Sequence, residues 1–135
     1  MVIAVDRTEM AVIPGAMLLC LDFTDRDAPE KITQALGGAK VGVVLSDMAA
    51  PATGHTQTDH LRIIALCEAA LAFAIEVLAP GGTFVAKVLR GGSEQSLLTE
   101  MKRAFAKVRH IKPAASRADS AEMYVVATGF RGAKA

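Results

Sequence analysis

Short apolar, β-rich runs alternate with helical runs along this chain. Residues 2–5 (Val-Ile-Ala-Val) and 17–21 read as strands, followed by Asp6 and Asp22. Residues 28–36 read as a short helix closed by Gly37-Gly38, since glycine accepts the left-handed conformation that ends helices. Residues 41–45 (Val-Gly-Val-Val-Leu) form a third predicted strand, followed by Ser46 and Asp47. Residues 59–78 carry the longest helical pattern. There Leu61, Ile64, Ala65, Leu71, Ala72, Ile75 and Leu78 recur at three and four, with Glu68 the exception. Pro80-Gly81-Gly82 is expected to stop that helix. A strand over 83–89 follows, then a helix over 93–107 with Ser93 as its cap. Residues 108–111 and 123–128 read as the last two strands. No repeat, linker or low-complexity segment interrupts the pattern.

Strands alternating with helices predict a single α/β domain over residues 1–135 with a mostly parallel sheet. At 135 residues the chain is long enough for one core. Such sheets bind ligands beyond the carboxyl ends of their strands. Asp6, Asp22 and Asp47 each sit just past such an end, so they are predicted to line one edge of the sheet. Each alone also fits a helix cap or a turn residue. Three in the same relative position point to a shared site. A carboxylate there can accept hydrogen bonds from ribose hydroxyls, which suits Asp6, or from an adenine amino group, which suits Asp22. The glycine-rich turn of dinucleotide-binding domains is absent. Gly37-Gly38 and Gly81-Gly82 follow helices, and Gly91-Gly92 forms no phosphate loop. A dehydrogenase-like domain is therefore disfavoured, and it would leave Lys87 without a role.

Lys87 stands in the run Phe84-Val-Ala-Lys87-Val88, near the end of an apolar strand. Lysine is costly to bury, so its presence there needs a reason. Asp47 ends one strand and Glu122 opens another. An Asp, a Lys and a Glu at the edges of buried strands are expected to meet as a polar cluster that handles protons and charge.

Composition narrows the picture further. Over half the residues are hydrophobic and a fifth are charged, which excludes a disordered chain. With no Trp, one Tyr and five Phe, the core is predicted to consist of Ala, Val, Leu and Ile. Cys20 and Cys67 lie in apolar segments without metal-ligand spacing. They are predicted to be buried free thiols in a reducing cytoplasm, with no metal. No signal-peptide pattern is visible. The apolar stretch over 63–78 is broken by Glu68 and Glu76 and is too short for a bilayer, so no membrane partner is expected. Net charge is only +1, but its distribution is uneven. Residues 1–30 hold Asp6, Glu9, Asp22, Asp25, Asp27 and Glu30 against two Arg. Residues 102–117 hold Lys102, Arg103, Lys107, Arg109, Lys112 and Arg117 against no acid. The basic stretch fits either a phosphate-facing surface or a solvated helix face.

Several of these segments occur together, in order, in one known family. They are Ser46-Asp47-Met48-Ala49, Gly54-His55, Thr58-Asp59-His60-Leu61-Arg62 and Leu78-Ala-Pro-Gly-Gly-Thr-Phe-Val-Ala-Lys87-Val88. Lys112-Pro113, Ser116-Arg117 and Glu122-Met-Tyr-Val-Val-Ala-Thr-Gly129 complete the set. Along its whole length the chain resembles the FtsJ/RrmJ-type ribosomal RNA large-subunit methyltransferases. The resemblance implies a Rossmann-like, S-adenosylmethionine-dependent fold. It also implies methyl transfer to the 2′-hydroxyl of a uridine ribose in 23S rRNA of the large ribosomal subunit. Asp6 and Asp22 would hold the cofactor's ribose and adenine. Asp47 would stand beside its methionine part and the catalytic centre, with Lys87 and Glu122 as the catalytic lysine and glutamate. The Ser116-Arg117 loop and the basic helix before it would face RNA.

The family pattern also begins with a lysine-bearing segment and a Gly-x-x-Pro-Gly-type cofactor loop after a first strand. Neither is present here, so the chain is expected to be an N-terminally truncated domain opening at the family's second strand. In the family's sheet order the absent strand lies between those ending at Asp6 and Asp47. Those two strands would then pair directly, or with another chain. Leu21 replaces a usual Gly, and Ala50-Pro51 a frequent Pro-Asn. Two readings follow from this resemblance. One is a methyltransferase, whole or as one half of a split enzyme. The other is a non-catalytic RNA-binding domain descended from it. Loss of a central strand exposes two rows of unpaired backbone groups, so the isolated chain is expected to be marginally stable or to self-associate. A ribose hydroxyl is a poor nucleophile, and the enzyme must align it and remove or share its proton. With Asp47 and Glu122 nearby, Lys87 is expected to stay mostly protonated.

Overall fold

The structure is a computed structural model that describes residues 2–48, 54–89, 95–112 and 122–132. They form two compact units, Met1–Lys40 and Val41–Ala135. In the first, β1 (Val2–Asp6) pairs in parallel with β2 (Ala16–Cys20), with Val2 opposite Ala16 and Asp6 opposite Cys20. Helix α1 (Ala28–Leu36) follows, with Pro29 in its first turn, where a missing N–H breaks no helical bond. It buries Ala28, Ile32 and Leu36, one residue per turn. It ends where expected, at Gly37 with φ +63°.

The second unit is built on a four-stranded sheet. Its elements are β3 (Val41–Ser46), α2 (Thr56–Val77), β4 (Leu78–Leu89), α3 (Gln95–Ala104), β5 (Phe105–Ile111) and β6 (Glu122–Phe130). The strand order is β3–β4–β6–β5. β3 and β4 are parallel, and β6 runs antiparallel to both β4 and β5. Three strands therefore point one way and β6 returns between two of them. The fold is α/β, as the alternation implies, but this sheet is mixed rather than mostly parallel, with both ladders of β6 antiparallel. Among the described residues the strands divide into two sheets, and β3 has β4 as its one partner.

Strand periodicity sorts this sheet into two faces. Phe84, Ala86 and Val88 of β4 and Val125 and Ala127 of β6 share a core with Ile63, Cys67, Leu71 and Ala74 of α2 and Leu97 and Met101 of α3. The opposite face carries Val43 and Leu45, Val85 and Lys87, Tyr124 and Val126, and Lys107 and Arg109, row by row across the register. Neither helix of this unit packs on that second face, and Val43 and Leu45 are exposed.

Several expectations need correction. The α2 pattern placed Leu61, Ala65 and Ala72 inside, yet they are exposed. Ile64, Leu71 and Leu78 are buried as expected, and Ile63, Cys67, Ala70, Phe73, Ala74 and Val77 join them. Apolar residues go most of the way round this helix, so periodicity alone does not set its phase. The helix also starts earlier than expected, because His55 caps it: Thr58 N–H donates to His55 Nδ1 at 3.3 Å. Histidine is not among the usual capping residues, so the start signal was missed. α3 stops at Ala104 rather than 107, since Phe105 already pairs with Phe130. Lys107 is thus on a strand; Ser93 lies outside the described residues. Cys67 is a buried free thiol as expected, but Cys20, at the end of β2, is exposed. The core is not purely aliphatic either. Phe84 and Phe105 are its largest fully buried side chains. Phe105 lies 6.4 Å from Phe84 and 5.4 Å from Phe130, centroid to centroid. No described helix is long and apolar enough to cross a membrane.

Candidate active site

β3 and β4 lie side by side and point the same way, so their carboxyl ends present side chains to the same rim. Asp47 follows the last residue of β3, and Lys87 is the third residue from the end of β4. Lys87 Nζ lies 3.2 Å from Asp47 Oδ1. Across the other side of β4, Lys87 is directly opposite Tyr124 of β6. The Tyr124 hydroxyl donates to the same Oδ1 at 3.2 Å. One carboxylate oxygen thus holds both an ammonium and a phenol, drawn from three neighbouring strands.

This cluster contributes little to stability. The Lys87 side chain is 16% exposed but that of Asp47 is 71% exposed. Pairs so open to water are worth about 0–1 kcal/mol. Beneath the pair, the buried Cys67 thiol of α2 donates to the Lys87 carbonyl at 3.1 Å, which ties this stretch of β4 to the helix. Among the described residues no group of His, Cys, Asp and Glu could hold a metal ion.

Of the residues expected to cluster, the structure brings Asp47 and Lys87 together. Glu122 opens β6 opposite Leu89, two residues from Tyr124, and its position falls on the same sheet face. Its side chain lies outside the described residues, as do Ala50-Pro51 and the Ser116-Arg117 loop. Tyr124 was not anticipated. The available signal was its uniqueness: it is the only tyrosine, two positions along a strand from Glu122. A tyrosine buried along one edge usually finds a partner for its hydroxyl.

Asp6 and Asp22 belong to the first unit, and each stands at or just past the carboxyl end of its strand. Both make local turns. Asp6 Oδ1 accepts the Thr8 N–H at 2.9 Å. Asp22 Oδ1 accepts the Thr24 N–H at 2.9 Å and the Thr24 hydroxyl at 2.6 Å. These are the side-chain-to-backbone turns for which aspartate is favoured. The Thr24 hydroxyl, then its N–H, hold the Asp22 carboxyl below the usual range; slight desolvation opposes them and Arg7 adds to the lowering. A group lowered in this way stabilises the fold above its ordinary value and loses that contribution as pH falls through the lowered one. Thr24→Val removes the largest cause, so Asp22 should titrate closer to an ordinary aspartate. Carboxyl-carbon NMR reads this directly, and an unchanged titration would acquit the hydroxyl.

Comparison with known proteins gives a consistent picture. Residues 1–130 match the model of the FtsJ-like methyltransferases. The chain is 61% identical over 131 residues to ribosomal RNA large subunit methyltransferase E of Parvibaculum lavamentivorans, covering 97% of this chain and 51% of that protein. It is also 61% identical to the enzyme of that name from Paramagnetospirillum magneticum, covering 97% and 53%. The chain spans about half the length of the curated relatives it matches. Among solved structures, a protein assigned as a ribosomal RNA methyltransferase from Plasmodium falciparum superposes with a TM-score of 0.84. Identity there is 26%, over 97% of this chain and 72% of that one. A protein assigned as a methyltransferase from Streptococcus mutans, solved with SAH, shares the fold at a TM-score of 0.54 and 14% identity, over 95% and 70% of the two chains. With its family model matched almost end to end, the chain belongs to the FtsJ-like methyltransferase family.

Proposed function

We propose that this chain takes part in methyl transfer from S-adenosylmethionine to the 2′-hydroxyl of a uridine in 23S rRNA of the large ribosomal subunit, in the cytoplasm. The observation that carries the reading is Lys87, paired with Asp47 and neighboured by Tyr124 at the carboxyl rim of a parallel strand pair. That rim is where α/β sheets hold their ligands.

The acids fit an adenosine-bearing cofactor by chemistry. Asp6 and Asp22 are carboxylate acceptors at strand ends, and ribose hydroxyls and an adenine amino group are donors. Asp47 would stand by its methionine part. When bound, S-adenosylmethionine supplies a methyl on a sulfonium, which is already a good electrophile. The remaining work falls to the protein. Lys87 would meet the 2′-hydroxyl and take the proton that it loses on methylation. Asp47 balances the ammonium so produced, and Tyr124 fixes the carboxylate. Asp47, 3.2 Å away, also favours the ammonium beforehand, so the same carboxylate that offsets the product charge opposes proton uptake. Glu122, two residues from Tyr124 on β6, would be the further carboxylate of this set.

The RNA side of the reading draws on β5. Lys107 and Arg109 are exposed and share the Lys87 face, whereas Lys102 and Arg103 sit on α3, which packs on the other face. Adjacent strands are about 4.8 Å apart and two strand residues span about 6.8 Å, which puts the Arg109 backbone about 12 Å from that of Lys87. That is roughly the rise of three to four stacked nucleotides.

The direct test is calorimetric titration of the chain with S-adenosylmethionine, followed by methylation of large ribosomal subunits. Micromolar binding, about −8 kcal/mol, with transfer to a uridine ribose is the expected result. A folded chain that binds RNA with a steep salt dependence but never binds the cofactor would instead favour a non-catalytic RNA-binding domain. Binding of neither would sink both readings.

A further inference from the structure

The pairing of Asp47 with Lys87 depends on an irregularity earlier in β4. Val41 is opposite Leu78, but Val43 is opposite Thr83, and the regular register then runs through Val44–Phe84, Leu45–Val85 and Ser46–Ala86. β3 advances two residues while β4 advances five, so three extra residues are absorbed on β4. They come from Ala79-Pro80-Gly81-Gly82, of which the pattern of the sequence marks Pro80-Gly81-Gly82 as a helix stop. The helix in fact ends at Val77, and this tetrapeptide is a bulge within the strand.

Three residues is an odd number, and strand faces alternate with period two. Had the Val41–Leu78 register continued, Asp47 would fall level with Phe84, a fully buried residue on the helix-covered face. The bulge instead brings Asp47 level with Lys87, one step beyond the Ser46–Ala86 pair.

The chemistry of the four residues suits this task. Pro80 has no N–H to give to a ladder, so it belongs at a bulge rather than in regular pairing. Gly81 has φ +85°, which only glycine adopts without strain. Gly82 is where the chains come closest. A Cβ there would lie 2.9 Å from the Ala79 carbonyl oxygen, 2.9 Å from Leu78 Cδ2 and 3.1 Å from the Gly42 carbonyl oxygen. Two of these neighbours are backbone, so they cannot swing aside.

We infer that the 79–82 bulge is the register-setting element of the site, with Gly82 a positioning residue that acts through β4 to bring Lys87 to Asp47. The inference rests on the proposed role of that pair, but its register claim is read without any methyl transfer. Lysine-Cε NMR follows Lys87 in the full chain as acid protonates the carboxylates. In the native chain Lys87 should report a step that Asp47→Asn abolishes. Gly82→Ala should lose the step. Gly129→Ala is the control for strain away from the bulge, since its φ is +72° and its added Cβ meets the Ala106 Cβ at 2.9 Å. It should keep the step. If Gly82→Ala melts near the measuring temperature, sucrose restores the folded state by exclusion from the protein surface. Persistence of the step in folded Gly82→Ala overturns the inference. So does its equal loss in Gly129→Ala, which would mean general loosening. An inactive native chain with the step intact would overturn the functional reading and leave the register intact.

Discussion

Replacing Lys87 with Met is expected to lower methyl transfer by about 10²–10⁴-fold, the span typical of a lost general acid–base group. Met keeps the length and apolar stem of the side chain and removes only the amine, so the strand should stay folded. The pair with the exposed Asp47 is worth about 0–1 kcal/mol, too little for a folding effect to account for such a loss. Lys87→Arg then separates two roles. A guanidinium keeps the charge but is always protonated, so it cannot take a proton from the ribose. If Lys87 is the base, Arg should be as inactive as Met. If Arg retains most of the activity, the residue acts only as a fixed positive charge, and the proton must leave by another route. Cofactor affinity measured beside the rate guards against misreading. Both variants should bind S-adenosylmethionine almost as the native chain does if, as proposed, its adenosine rests on Asp6 and Asp22.

Much of this architecture could be read in advance, for identifiable reasons. Val2-Ile-Ala-Val5 and Val41-Gly-Val-Val-Leu45 announce strands because both faces of such strands favour apolar residues. Gly37 announces a helix end because its φ is positive. The Asp47–Lys87 pair was legible because each is a charge at the margin of an apolar run. What stayed hidden depends on relations between strands. Nothing local in Glu122-Met-Tyr-Val-Val-Ala-Thr128 reveals that the strand runs backwards between β4 and β5, so Tyr124 could not be matched with Lys87. Nothing in Pro80-Gly81-Gly82 tells a helix stop from a bulge, because both need a missing N–H and a positive φ. The phase of α2 was lost because alanine and leucine occupy nearly every side of it. The sequence places Lys107 on a helix because the run over 93–107 stays polar enough to continue one. Its pairing with Thr128, which ends the helix early, is a long-range fact.

The same blindness to long-range packing concealed the aromatic centre of the core, and there the second large effect is expected. Phe105→Ala should destabilise the chain by about 3–5 kcal/mol, as truncation of a buried phenylalanine does when the cavity cannot collapse. Phe105 is 1% exposed and stands at the junction of α3 and β5. Its ring touches both Phe84 of β4 and Phe130 of β6. Its neighbours are held by the sheet ladder on one side and by Leu97 and Met101 on the other, so little can move in to fill the space. Domains are stable by only about 5–15 kcal/mol, so this one change removes a large share and brings the chain close to unfolding. Phe105→Leu should cost distinctly less, since it keeps much of the apolar area and loses mainly the aromatic contacts, worth about 0.5–1.5 kcal/mol. Denaturant melts of the two variants beside the native chain measure both effects. A Phe105→Ala midpoint shifted by no more than a surface substitution, within about 0.5 kcal/mol, would show that the aromatic cluster does not carry the core. A large shift would link core to site, because β5 anchors β6 and β6 holds Tyr124 against Asp47.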